Sequence, residues 1–216
     1  MMLQVLVTNL PYLLQGAGIT LALSAICAVL AAIIGIVTAL AQSFGGIFSR
    51  SIALLYIYLM RGTPLIVMII AAYYLLPYAG IDVSATTGGV LVVSLYFGAF
   101  MSEVFRGALA SVPRGQWDAG RALGMHGSRL MGIVVVPQAL RLAGPPFINT
   151  CIMLVKGTSL VSVIGLWELT MAGRQVVERT LAPFQVFGGI AAIYFIICYG
   201  LSLLGRTMER RLPHAQ

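Results

Sequence analysis

The chain has 216 residues, of which 60% are apolar and 9% charged, with a mean hydropathy of +0.99 and a formal charge of +7. That composition excludes a soluble domain with a polar surface and places the chain among integral membrane proteins. Twelve of the 13 basic residues are arginine, and in a membrane chain such an excess marks cytoplasmic loops and not a nucleic-acid surface.

A helical span needs about 20 apolar residues, and five candidates follow in order. The first covers about 16–41 and carries no charge. No Lys or Arg precedes Arg50, so the basic start of a secretory signal is missing, and the segment reads as a retained helix with its N-terminus outside. The second region, 51–79, is broken near 61–64 by Arg61 and Pro64, because proline lacks an N–H and disfavours helix at Thr63. It is either an interfacial helix followed by a deeper one, or a single kinked helix. A polar turn at 80–89 holds Asp82 and no basic residue, and is expected outside. The third span is about 88–110. A basic insert, 111–143, precedes a fourth apolar stretch at about 145–167. A mixed polar segment, 168–183, leads to the last span at about 184–205.

Five spans with the N-terminus outside put the Arg50 turn, the insert and the tail with Arg206, Arg210 and Arg211 on the cytoplasmic side. The segment 168–183 falls outside, its Arg174 and Arg179 balanced by Glu168 and Glu178. This agrees with the positive-inside rule. There is no internal repeat, which weighs against carriers built from duplicated halves. Cys27, Cys151 and Cys198 lie in apolar sequence without metal-ligand spacing and read as small lipid- or helix-facing residues, so no metal site is expected.

The insert reads as helix, tight turn, helix. Ser111 and Pro113 favour a start, and Gly124 favours a stop. Gly127 and Ser128 can begin a second helix, which is expected to end near Pro137. Trp117, Gly120 and Gly124 are expected to share a face, with Leu123 alongside. Ala119, Gly120, Ala122 and Gly124 leave so little bulk that another surface can approach closely. Asp118 stands near the positive end of the first helix. Two other readings exist. One is an amphipathic loop held on anionic lipid. The other is a DNA-reading helix pair, which the flanking spans disfavour.

The order of residues in WDAGRALGMHGSRLMGIVVVPQALR (117–141) resembles the EAA motif of ABC-importer permeases, matching at Asp118, Ala119, Gly120, Gly124 and Pro137. LLQGAGITLALS, MRGTPLIVMI, SEVFRGALASVPRGQWDAGRALGM, LVKGTSLVSVIG and the ERRL end are similar to the polar amino acid uptake branch of that family, so the resemblance covers nearly the whole chain. It implies an all-α integral membrane protein with the type I importer permease fold: five transmembrane helices and a cytoplasmic coupling-helix loop. It further implies a bacterial inner-membrane location with a cytoplasmic C-terminus, and two copies of a cytoplasmic ATPase docked on the loop. A second permease chain, identical or a sister, and an extracytoplasmic substrate-binding protein complete the assembly. The motif's Glu is Asp118 here and its second Ala is Gly120, which lowers helix propensity by up to about 1 kcal/mol. Where many relatives read KDTS, this chain has Gly157 in place of the acid. Some relatives carry an acid where Thr150 stands. Both absences argue against a cationic substrate.

No GxxxxGK[ST] occurs, so ATP and Mg are expected on the partner ATPase, with no cofactor in this chain. Polar groups within spans are costly and tend to line a path. Lys156, Thr158 and Ser159 are therefore substrate-path candidates, with Gly157 allowing a local break whose backbone can hold a zwitterion. Thr150 is expected on the face of Gly157, with Asn149 beside it, and Tyr96 and Phe97 as an aromatic wall. Glu103 and Arg106 are expected to pair. Lys156 either pairs with Glu103 or serves the substrate, and Arg61 is expected to snorkel to the interface. A self-sufficient secondary carrier or channel is the alternative function.

Overall fold

The computed structural model describes residues 2–209; Arg210 and Arg211 of the basic tail lie outside the described residues. Nine α-helices are described: α1 (Met2–Phe44), α2 (Ile47–Gly62), α3 (Leu65–Tyr78), α4 (Ala85–Ala110), α5 (Arg114–Ala122), α6 (Gly127–Leu130), α7 (Val136–Thr158), α8 (Leu169–Thr180) and α9 (Pro183–Glu209). A π-helical turn at Met131–Val135 joins α6 to α7, and a 3₁₀ segment at Ser159–Ile164 extends α7. Gln4–Phe44, Ala85–Ala110, Gly127–Ile164 and Pro183–Thr207 are each long and apolar enough to cross a membrane. The α2–α3 pair makes a fifth candidate span.

The first span is longer than 16–41. With 43 residues, α1 is about 65 Å long at 1.5 Å per residue, roughly twice the hydrocarbon thickness. It packs along α4, with small residues at the contact. A Cβ built on Gly35 would stand 2.8 Å from Met101 Cβ, and one on Gly98 would stand 2.7 Å from Ile34 Cγ2. Leu23, Cys27 and Ala31 of α1, Val93, Phe97 and Met101 of α4, Ile69 of α3 and Leu154 of α7 form the largest buried cluster.

The second region is two helices, bent by 104° at the break. Thr63 is extended (φ −116°, ψ 138°) and Pro64 precedes the first turn of α3. An α conformation at Thr63 would drive it into the proline ring, so a single kinked helix is not formed. The third span starts at Ala85, within the expected turn, because the Ser84 side chain accepts from the Thr87 N–H at 3.1 Å and caps it.

The helix expected to end near Pro137 does not end there, and the fourth span does not wait for residue 145. Helical structure runs from Gly127 through Pro137, Pro145 and Pro146 to Thr158. The π turn shifts the hydrogen-bond register just before Pro137, so the missing N–H falls in the first turn of a new α segment, where proline is tolerated. Beyond the 3₁₀ segment the chain reverses at Gly165, whose φ of 78° suits glycine.

The polar segment 168–183 contains α8, packed on the N-terminal part of α1 and on α9. Glu168 does not balance the arginines of that segment. It is fully buried and accepts from the Met171 N–H (2.9 Å), the Tyr194 hydroxyl (2.8 Å) and the Thr20 hydroxyl (3.2 Å). One carboxylate thus caps α8 and ties it to α1 and α9.

Glu168→Ala is expected to lower the thermal unfolding midpoint in detergent, with a loss of about 2–4 kcal/mol from the cap and the stranded partners, and Glu168→Gln to lose less; equal midpoints for all three proteins would contradict this role. Gly35→Ala is expected to destabilise by about 1–3 kcal/mol through overpacking. Gly18→Ala, whose added Cβ meets nothing within 4 Å, is expected to be neutral or slightly stabilising in the same assay.

Candidate coupling loop and substrate path

The loop helix α5 lies against one end of the bundle. Trp117 is half-buried, and its ring joins a cluster formed by Ala108, Val112, Leu130, Val135, Ala139 and Ala143. Gly120 is buried against Leu130, and an added Cβ there would meet the Leu130 side chain. The close approach at Gly120 is therefore made by the chain's own α6 and not left open for a partner. Gln138 Nε2 donates to Gln116 Oε1 at 3.2 Å, which ties α5 to α7 as well.

Gly124 does not share the face of Trp117 and Gly120. The helix ends at Ala122, and Gly124 takes a left-handed conformation (φ 71°) beyond it. The Gly124 N–H bonds to Arg121 O at 2.9 Å and the Met125 N–H to Gly120 O at 3.0 Å, a glycine-terminated helix end. Besides Arg114, Gly115, Gln116 and Arg121, the exposed residues of α5 and its C-terminal end include Asp118, Ala119, Ala122 and Leu123, the last 82% exposed. The latter four occupy one side, at i, i+1, i+4 and i+5. Asp118 is 3.7 Å from Arg121, both exposed, a surface pair of little stabilising value. Pro137 is exposed at the start of α7.

Among the path candidates, Phe97 and Gly157 come together. Gly157 is helical, and an added Cβ would stand 2.8 Å from the Phe97 ring and 3.2 Å from Leu65. Its role is close packing of α7 on α4 and α3, and the expected break at Gly157 is not there. The departure from α-helix comes directly after Thr158. Tyr96 stands beside Phe97, their ring centroids 5.3 Å apart. Thr158 is buried, donates to Val155 O at 2.8 Å, and lies 3.5 Å from Ser24 of α1. Ser159 donates to Lys156 O at 2.7 Å.

Asn149 and Thr150 face different ways. Thr150 is buried and donates to Pro146 O at 2.9 Å. Asn149 is exposed in a cavity of about 260 Å³ between α7 and α9 that Ser202 and Arg206 also line.

Lys156 does not pair with Glu103. The expected pair of Glu103 with Arg106 is present, with bonds of 3.2 Å from Nε and 2.8 Å from Nη2. Gln42 Nε2 adds a bond of 3.4 Å, and Arg61 Nη1 lies 4.0 Å away. Arg61 is thus more than a snorkelling cation: it joins this ionic cluster and lies over the Phe100 ring at 5.3 Å. Lys156 is exposed, with no carboxylate within 4 Å among the described residues.

Two groupings were missed from sequence. One is Glu168 with Thr20 and Tyr194. The other is Tyr12, Trp167 and Gln175, joined by hydrogen bonds and roofed by Arg179, whose guanidinium lies 5.0 Å from the centre of the Tyr12 ring. A lone acid within LWEL was the available signal, since an acid in apolar sequence needs partners; its partners lie 148 and 26 residues away.

A family model described as the binding-protein-dependent transport system inner membrane component matches residues 31–212. The glutamine transport system permease protein GlnP of Escherichia coli (strain K12) is 35% identical over 205 residues, covering 94% of each chain. The L-cystine transport system permease protein TcyB of Bacillus subtilis (strain 168) is 37% identical over 203 residues, covering 94% of this chain and 87% of that one. A crystal structure of an amino acid ABC transporter with histidines superposes with a TM-score of 0.90 at 32% identity, covering 96% of this chain and 97% of its counterpart. With four long apolar helices, one bent pair and a seated loop helix, this chain belongs to the binding-protein-dependent transport system inner membrane component family, as an ABC transporter permease.

Proposed function

We propose that this chain is the membrane permease of an ATP-driven importer for a polar amino acid or amino-acid-like compound, with the exposed side of α5 as the seat of a cytoplasmic ATPase. The observation that carries the reading is the division of α5 into two faces. Trp117 and Gly120 hold the helix on the bundle, while Asp118, Ala119, Ala122 and Leu123 remain available to a partner. A short helix so seated passes on a push instead of absorbing it. Two ATPase copies supply ATP binding with Mg, since this chain has no phosphate-binding loop. A second permease chain and an extracytoplasmic binding protein complete the assembly, with the N-terminus outside and the C-terminus cytoplasmic.

The push has a physical route. Leu130 and Gln138 receive α5, and helical structure continues from them to Lys156 and Gly157. Gly157 in turn bears on Phe97 of α4. Rocking of α7 against α4 therefore alters the surroundings of Lys156, Thr158, Ser159 and the Tyr96–Phe97 pair, opening the path to one side and then the other.

Lys156 is the group for the substrate's carboxylate. Charges in a membrane are paired as a rule, yet among the described residues no carboxylate lies within 4 Å of Lys156. Glu103 is held by Arg106, Glu168 is buried under its donors, and Asp118 sits on the loop. An amino acid brings the missing carboxylate. The lack of an acid at Gly157 and Thr150 favours neutral or acidic side chains over cationic ones.

Ala119→Arg is expected to abolish ATPase co-purification and to lower uptake more than about tenfold, since a bulky charge blocks a desolvated contact, while membrane insertion stays unchanged. Undiminished uptake would rule out docking through this face. Lys156→Met is expected to cut uptake by about tenfold or more, Lys156→Arg to retain part of it, and capture of substrate by the binding protein to be unaffected. Ion-gradient-driven transport by the purified chain in liposomes without ATPase would instead establish the secondary-carrier alternative.

A further inference from the structure

We propose that the cavity walled by α1, α2, α4 and α5 is a binding site for a phosphate-bearing anion, with the headgroup of an anionic phospholipid as the source that the surrounding surface favours. It has a volume of about 570 Å³ and lies at the end of the bundle that carries α5. Three arginines line it: Arg50 and Arg61 from α2 and Arg106 from α4. Glu103 is the one carboxylate among the lining residues, leaving a formal charge of +2 from three cations and one anion.

The donors and acceptors of the cavity do not balance. Arg106 takes both oxygens of Glu103, and Gln42 also donates to one of them. Arg61 reaches this carboxylate only at 4.0 Å. Arg50 is exposed and has no carboxylate within 4 Å among the described residues. Each guanidinium carries five N–H donors in a planar fork, so Arg50 and Arg61 bring many more donors to the cavity than the protein there answers. A phosphate, with several acceptor oxygens and a geometry suited to two parallel N–H bonds, fits that surplus.

The flank of the cavity argues for a lipid source. Ile47 and Phe48 are 82% and 80% exposed at the start of α2, one turn from Arg50, and Leu55 is exposed further along the same helix. Trp117 lines the cavity, an aromatic of the kind found at headgroup depth. A headgroup in the cavity leaves its acyl chains over that apolar flank, and basic pockets between membrane helices bind anionic headgroups in this manner. The site shares no residue with the substrate-path candidates. Through Trp117 it touches the seat of α5, so an occupant braces α2 and α4 against the loop helix.

The test is lipid binding to the full-length chain in neutral detergent, read by native mass spectrometry. Short-chain phosphatidylglycerol, phosphatidylcholine with the same acyl chains, and inorganic phosphate are the probes. Phosphatidylglycerol is expected to bind about tenfold more tightly than phosphatidylcholine. Arg50→Gln is expected to reduce that preference several-fold, and Arg50→Gln with Arg61→Gln to remove it. Arg174→Gln, on α8 at the opposite end of α1, is expected to leave it intact. Arg50 has no ion-pair partner to lose among the described residues, so the single variant reports on the site even if the double variant unfolds. Displacement of phosphatidylglycerol by millimolar phosphate would support the anion site with a soluble ligand as its source; retention against phosphate would support the lipid. An equal affinity for the two lipids without phosphate binding, or a preference that Arg50→Gln leaves untouched, would overturn the proposal.

Discussion

The bundle depends on how closely α1 and α4 approach each other. Lipid tails are as apolar as leucine, so helices in a membrane gain nothing from burying apolar surface against one another and must gain from fit. Gly35 admits the Met101 backbone and Gly98 admits Ile34, so the two helices interlock. Other elements lean on this pair. Ile69 of α3 and Leu154 of α7 complete its buried cluster, and Gly157 lets α7 press on Phe97. Polar ties add to this: Glu168 holds α8 to Thr20 near the middle of α1, and Gln42 near its C-terminal end reaches Glu103.

The loop helix is joined to that frame through α6 and α7. It is seated on Leu130 and linked to Gln138, both within helical structure that continues to Thr158. The 23 residues of α7 amount to a rod about 35 Å long, with the loop at one end and Lys156 at the other. The π turn at Met131–Val135 lies where the rod meets the loop. Such turns are local departures in the hydrogen-bond ladder and often stand at functional places. Here it also carries the chain past Pro137 without ending the helix.

Charge is distributed with the same economy. Glu103 gathers Arg106, Arg61 and Gln42 near the α5 end. Glu168 is held by three hydrogen-bond donors, with no cation within 4 Å among the described residues. Lys156 is left with no carboxylate in reach among the described residues. The contrast separates charges that hold the fold from one that the fold leaves without a counter-ion among the described residues.

The apolar runs, the arginine pattern and the WDAGRALG segment were enough to read an all-helical membrane chain with a loop helix and to recognise its family. Those features are local: a span is legible from about 20 consecutive residues, a helix stop from one glycine. Pairing between distant segments was not legible. Nothing near Gly120 in sequence tells whether Leu130 or a partner fills the space above it, and nothing near Glu168 names Thr20 and Tyr194. The same holds for Gly157, which resembles a helix breaker in isolation and is a packing surface once Phe97 stands opposite. Pro137 looked like an end because proline removes a hydrogen bond, and only the π turn before it shows how the helix absorbs the loss. Sequence alone determined the composition of each helix and its fitness for lipid. The tertiary structure decided which small residues face a neighbour and which charges find partners, because both depend on contacts between residues tens of positions apart.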